Sequence, residues 1–239
     1  MNYLLSERQK KVRKRIVEIS HLRKFTHIGS CLCVVDIIDG IYDIKNKNEK
    51  FVLSNGHAAV ALYSVLEMKK IITSQVAEGL NIHPDRNPKL GIDVSSGSLG
   101  QGLPIAVGFA LANRKKHVYC VVSDGECMEG SVFEALRIAR MSKLDNLTIV
   151  VGANGWGGYS SIVITDLIRM LDGLGYDTKV INGHDSSKIK QALRSRKKGK
   201  PNLILAETKS DQLPFLKDLD AHYYLMTDDD YKVAINILS

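Results

Sequence analysis

The chain is short of cysteine and of aromatic residues, and it has no long apolar run. Its four cysteines, Cys31, Cys33, Cys120 and Cys127, make no C-x-x-C pair. The first residues are charged and helical in pattern, without the apolar core of a secretory leader. Reduced thiols in a cytoplasmic protein are therefore the expected state. No apolar stretch approaches the ~18 residues needed to cross a bilayer, so no membrane segment is expected. Aromatic residues make up 6% of the chain, with one tryptophan. The basic stretches RQKKVRKR (8–15) and RSRKKGK (194–200) thus lack an aromatic platform beside them. They read as solvated faces despite the net charge of +7, and nucleic-acid binding is not expected.

What is present is an ordinary globular composition, 44% hydrophobic and 25% charged over 239 residues. That length suits one large α/β domain, and no linker, repeat or low-complexity tract divides it; residues 1–239 are read as a single domain. Short apolar runs mark strands at 51–54, 118–124, 147–154, 178–182 and 203–208. Helical spacing lies between them. Val132, Ala135, Leu136 and Ala139 make one stripe within 130–143, and Ile189, Ala192 and Leu193 another within 187–197. A further helix is expected at 228–238. The segment 99–116 is nearly apolar in its middle, LPIAVGFALA, which predicts a central helix covered on all sides. Strands separated by helices pair in parallel, because a parallel neighbour needs a long crossover. The fold class is α/β: a doubly wound, mostly parallel sheet with helices on both faces, and ligands beyond the carboxyl ends of its strands.

Two strand ends carry the chemistry. VYCVVSDG places Asp124 at the end of one strand, and LTIVVGANG places Asn154 at the end of the next, 30 positions later. One right-handed strand–helix–strand unit fits that interval and puts both tips on the same sheet edge. A carboxylate and an amide oxygen are hard ligands that suit magnesium or calcium. Gly125 and Gly155 follow the two candidates and permit close backbone approach. Glu126 and Gly130 lead into a helix whose start favours anions. A strand-end D-G by itself more often merely caps the next helix; the spacing to N-G is what favours a shared cation.

The sequence SDGECMEG, with N-G-W after it, resembles the thiamine diphosphate motif of transketolases. Further blocks agree in order: THIGSCLCVVDII (26–38), LSNGHAAVALYSVL (53–66), HPDR (83–86) with SSGSLGQGLPIAVGFALA (95–112), and DAHYYLMTDDDY (220–231). The resemblance covers nearly the whole chain and is to the amino-terminal, diphosphate-binding part of a transketolase or the small subunit of a split one. It implies that thiamine diphosphate and Mg²⁺ are the cofactors, with Ca²⁺ or Mn²⁺ able to substitute. Asp124, Asn154 and the carbonyl of Trp156 would ligate the metal. Gly97, Ser98, Leu99, Gly125 and Glu126 (through its backbone N–H) would lie under or beside the diphosphate, with His57. His27, His57, His83 and His222 would line the funnel and handle sugar hydroxyls and protons, a task suited to imidazole. His21, His117 and His184 have no such context and are read as structural. Glu129 and Glu134 match acidic positions near a subunit interface.

The implied activity is transfer of a two-carbon ketol unit from a ketose, or its phosphate, to an aldose. The glutamate that activates the cofactor belongs, in the family, to a pyrimidine-binding domain that this sequence does not contain. A second polypeptide is expected to supply it, in an α2β2 heterotetramer. Several positions depart from the family pattern. Ser123 replaces the first glycine of G-D-G, ETKSDQLPF (207–215) lacks the lid glycines, and the loops after Asn154 and Thr208 are short. These departures leave room for a different acceptor in a specialised sugar pathway, or for a non-catalytic paralogue. Deoxyxylulose-phosphate synthase and the decarboxylating component of pyruvate dehydrogenase share the metal motif. They are not expected to combine LSNGHAA, HPDR and GSLGQG.

Overall fold

A computed structural model describes residues 5–239, save for the side chains of Leu219 and Asp220. Helix α1 (Glu7–Arg23) starts at a capping box in which Ser6 and Gln9 satisfy each other's backbone N–H. It packs with α2 (Ile28–Ile44) and α3 (Ala59–Met68). A short helix α4 (Ser74–Gly79) follows. Strand β1 (Lys50–Leu53) precedes α3; β2 (Val118–Ser123) and β3 (Leu147–Ala153) flank α6 (Gly130–Met141). Helix α7 (Ile164–Gly173) leads to β4 (Lys179–Asn182), and α8 (Ser186–Arg194) to β5 (Asn202–Glu207). Asp185 starts α8 by accepting the N–H groups of Ser187 and Lys188. Helix α9 (Asp228–Leu238) begins at a Thr227–Asp230 capping box, with three aspartates in its first turn complementing the helix dipole. Among the described residues no helix is long and apolar enough to cross a membrane.

The five strands pair in parallel, in the order β1-β2-β3-β5-β4. The α1, α2, α3, α8 and α9 core lies on one face, and α5 (Gly102–Ala112), α6 and α7 lie on the other. The chain steps outward from β1 to β4 with α5, α6 and α7 on one side, then reverses into β5 through α8 on the opposite side. This is the arrangement that right-handed crossovers demand. All five predicted strands are present, within a residue or two at each end.

Two expectations need correction. The 99–116 helix spans only Gly102–Ala112 and is not covered all round: Leu103, Ala106, Val107 and Ala110 are buried, while Ile105 and Leu111 stand about 40% exposed (39% and 42%). An all-apolar run does not reveal which face its own chain covers. RQKKVRKR is not wholly a solvated face either. Arg13 is 1% exposed, because its α1 position faces α2 and its charge meets Asp36 there.

Candidate active site

The carboxyl ends of β1, β2, β3 and β5 open into a cleft. Ser123 pairs with Gly152 in the ladder, so the tips of β2 and β3 end abreast. Asp124 is fully buried there. Its Oδ1 accepts the Gly125 N–H (3.0 Å), and its Oδ2 accepts the N–H groups of Asn154 (2.9 Å) and Gly155 (2.7 Å). Burial pushes this carboxyl up to about 6, against the pull of those three donors. The donors lock the side chain in place, and the carboxylate needs a cation to be comfortable as an anion.

Asn154 faces the same cleft. Its Oδ1 accepts the Trp156 N–H (2.8 Å) and keeps a second lone pair, and its Nδ2 donates to Cys33 Sγ (3.4 Å). Gly155 sits at φ 82°, and the turn over residues 155–162 closes where the Ile162 N–H donates to the Gly155 carbonyl (2.7 Å). That turn holds Trp156 on the cleft wall. No cluster of three His, Cys, Asp or Glu side chains suited to a metal occurs among the described residues. The Asp124 carboxylate and the Asn154 amide oxygen share the cleft instead, and such hard oxygen donors are of the kind that suits a hard cation. Asn55, 1% exposed and on the cleft wall, has an Oδ1 with no hydrogen-bond partner among the described residues, as expected of a group that awaits a ligand.

The four predicted histidines converge. His27 lies 4.6 Å from His222, 5.3 Å from His57 and 6.5 Å from His83, ring centre to ring centre. His57 and His222 are 5.1 Å apart, and both line the cleft. Burial lowers His27 to about 4 and His57 to about 3, with neighbouring imidazoles adding to the effect; burial lowers His222 as well. His27 takes a left-handed conformation, φ 65°, at the start of α2, where strain is tolerated for placement of the ring. His83 is exposed and rests on Gly97, where an added Cβ would come within 2.6 Å of its ring.

The glycine-rich loop is placed with equal care. Leu99 lines the cleft, Ser98 is exposed beside it, and Gly97 (φ 141°) lets His83 approach. Gly56 lies so close to the Ser96–Gly97 peptide that a Cβ there would stand 2.5 Å from backbone. Glu126 differs from its expected role. Its N–H donates to Ser123 Oγ (3.2 Å) rather than toward the cleft, because the residue opens a 3₁₀ turn on the strand end. Its buried carboxylate accepts from Ser54 Oγ (2.6 Å), the Gly100 N–H (3.0 Å) and the Ser123 N–H (3.0 Å). One side chain thereby ties β1, β2 and the glycine-rich loop together. Glu129 and Glu134 are exposed on the α6 side, Glu134 paired with Arg137.

Sequence reasoning missed Ser30, Cys33, Asn55, Ser210 and Tyr223, all on the cleft wall. Ser30, Cys33, Asn55 and Tyr223 lie inside recognised blocks, which was their one signal, and Ser210 lies in the 207–215 stretch that departs from the family pattern. His21, His117 and His184 lie away from the cleft: His21 meets Asp228 and stacks on Tyr231, His117 meets Thr148 and Arg196, and His184 meets Asp36. All four cysteines are buried and free.

The neutral imidazoles have a measurable consequence. Burial also lowers His117 to about 3, beside the Arg196 charge. An unfolded imidazole takes its proton near 6.5, so below that pH the unfolded state binds more protons and stability is lost as pH falls. Each fully refused proton costs about 1.4 kcal/mol per pH unit. Asp124, raised to about 6, opposes this with a smaller shift. The ligand-free chain is expected to melt several degrees lower at pH 5 than at pH 7. An unchanged or higher midpoint at pH 5 in a fluorimetric scan would contradict these assignments.

The fold and site are those of an α/β domain whose parallel sheet presents a carboxylate and an amide on adjacent strand tips, near a glycine-rich loop and a group of four histidines. The family model "Transketolase, thiamine diphosphate binding domain" matches residues 26–212, and the chain belongs to that family. It is 30% identical to an apulose-4-phosphate transketolase subunit from Phocaeicola vulgatus, covering 98% of this chain and 94% of the relative. It is 30% identical to the 6-deoxy-6-sulfo-D-fructose transketolase subunit SqwG of a Clostridium species, over 87% of this chain and 86% of the relative. The crystal structure of transketolase from Campylobacter jejuni superposes with a TM-score of 0.85 at 26% identity, over the whole chain (100%) and 43% of that protein. The chain thus spans nearly all of its subunit-sized relatives and under half of a full-length transketolase.

Proposed function

We propose that this chain is the diphosphate-binding subunit of a two-chain transketolase that moves a two-carbon ketol unit from a ketose, or its phosphate, to an aldose. The observation that carries the proposal is the pair of abreast strand tips, with buried Asp124 and Asn154 facing one cleft. Asp124, the Asn154 amide oxygen and the Trp156 carbonyl hold Mg²⁺, a role Ca²⁺ or Mn²⁺ can take with the same oxygens. Gly97, Ser98, Leu99, Gly125 and His57 surround the diphosphate, and Glu126 acts by holding the loop. Thiamine diphosphate, when bound, supplies a nucleophilic carbon and an electron sink. His27, His83 and His222 orient sugar hydroxyls and pass protons; burial keeps the His27 and His222 rings neutral near pH 7, so each of those two offers one donor and one acceptor.

Residues 1–239 act as one domain, in the cytoplasm, where the buried thiols stay reduced. A partner chain supplies the pyrimidine-binding domain and its activating glutamate, and closed symmetry makes the assembly α2β2. Both subunit-sized relatives carry the names of specialised sugars. The short loops after Asn154 and Thr208 support the same reading here, an acceptor outside the common sugar phosphates. The test is a ketol-transfer assay with thiamine diphosphate and Mg²⁺, run on the chain alone and with a pyrimidine-domain chain. Activity is expected only in the mixture; full turnover by the isolated chain would contradict the two-chain reading.

A further inference from the structure

Behind the cleft floor lies an ionic cluster that the proposed chemistry does not use. Arg13, Asp36 and His184 are 1%, 3% and 6% exposed. Asp36 Oδ1 accepts from Arg13 Nη1 (3.0 Å) and Gln9 Nε2 (3.2 Å), while Oδ2 accepts from Arg13 Nη2 and from His184 Nδ1 (2.8 Å). The far ring nitrogen, His184 Nε2, accepts the Lys209 backbone N–H at 3.0 Å. That contact fixes the tautomer: Nε2 is the acceptor, so Nδ1 carries the hydrogen given to Asp36. Gln212 completes the network. Its Oε1 accepts from Arg13 Nε (2.8 Å), and its Nε2 donates to the carbonyls of Lys209 (2.7 Å) and Leu32 (3.0 Å).

A buried ion pair is weak evidence of stabilisation, because desolvation opposes the attraction. Burial alone would raise the Asp36 carboxyl; His184 and Arg13 outweigh it and hold the group below its ordinary value, so the cluster is charged and fully engaged. What it grips is specific. Lys209 follows the end of β5, held through both its N–H and its carbonyl. The next residue, Ser210, lines the cleft and packs on Gly29, where an added Cβ would lie 3.3 Å from Ser210 Cβ. The same segment then runs to Ala221 and His222 on the cleft wall. On the other side, Asp36 stands one helical turn beyond Cys33, which touches Asn154.

We propose that Arg13, Asp36, His184 and Gln212 are positioning residues that clamp the exit of β5, setting how the 209–222 segment, with Ser210 and His222, sits over the bound substrate. What the segment covers rests on the transketolase reading; the clamp itself does not.

The experiment uses the full chain. His184→Asn keeps a donor toward Asp36 and loses the acceptor for the Lys209 N–H, whereas His184→Gln reaches farther and restores that acceptor. Amides of 209–216 in His184→Asn are expected to exchange hydrogen about tenfold faster, with the β3 amides unchanged and His184→Gln close to wild type. Gln212→Leu, which leaves the buried ion pair intact, is expected to loosen the same amides. In the chain assembled with its partner, His184→Asn is expected to raise KM for a ketose phosphate about tenfold while the Kd for thiamine diphosphate with Mg²⁺ moves less than about twofold. Unchanged exchange at 209–216 in both variants, or equal acceleration in β3, would overturn the clamp. Faster loop exchange with an unchanged KM would overturn its role in placing substrate. Loop-confined exchange together with a wild-type assembly that transfers no ketol unit would uphold the clamp and refute the transferase reading.

Discussion

Asp124→Ala is expected to lower the metal-dependent affinity for thiamine diphosphate about a thousand-fold or more, equivalent to about 4 kcal/mol. Three effects act together. The substitution removes the fully buried carboxylate of the cleft wall, and a hard divalent cation gains most from a charged oxygen. It strips the N–H groups of Gly125, Asn154 and Gly155 of their acceptor, so the turn that carries Asn154 and Trp156 loosens. It also removes a side-chain link between the two strand tips, which then stay joined through the backbone ladder. Asp124→Asn separates charge from shape: its amide fills the space but carries no charge and turns N–H groups toward donors. Calorimetry with and without Mg²⁺ reads the effect, and wild-type metal dependence in either variant would contradict the metal assignment.

Glu126→Ala is expected to destabilise the chain by about 3–5 kcal/mol, because three donors lose their partner at roughly 1–3 kcal/mol each. The carboxylate accepts from Ser54 Oγ and from the N–H groups of Gly100 and Ser123, and no solvent reaches it. Removal leaves three buried donors unpaired where β1, β2 and the glycine-rich loop meet. Glu126→Gln keeps the volume, yet both oxygens of the native carboxylate accept, so the amide must point N–H at a donor on one side. A smaller loss, about 1–3 kcal/mol, is expected there. Denaturant titration gives both values. A Glu126→Ala variant within about 1 kcal/mol of wild type would show that the loop does not depend on this side chain.

The strands were legible because β-branched runs bounded by charge or glycine have few other readings, and the α9 boundaries because acids crowd its first turn. The α5 surface was not legible. LPIAVGFALA is apolar at every position, and which side meets β2 is a tertiary fact. Local reading also took RQKKVRKR as one solvated strip, although Arg13 turns inward to an acid 23 positions away. At the site, Asp124 and Asn154 were readable as strand ends at crossover spacing, and the four histidines as members of recognisable blocks. The Glu126 carboxylate was not: its partners come from residues 54, 100 and 123, and no spacing rule joins them. His184 was left structural because the residues it serves follow a different strand.

The most direct measurement is the position of a manganese ion in crystals of the chain grown with thiamine diphosphate and Mn²⁺. One anomalous peak is expected about 2.0–2.6 Å from both the Asp124 carboxylate and the Asn154 amide oxygen, with diphosphate oxygens completing its shell. A peak elsewhere, or a bound cofactor whose metal touches neither side chain, would contradict the account.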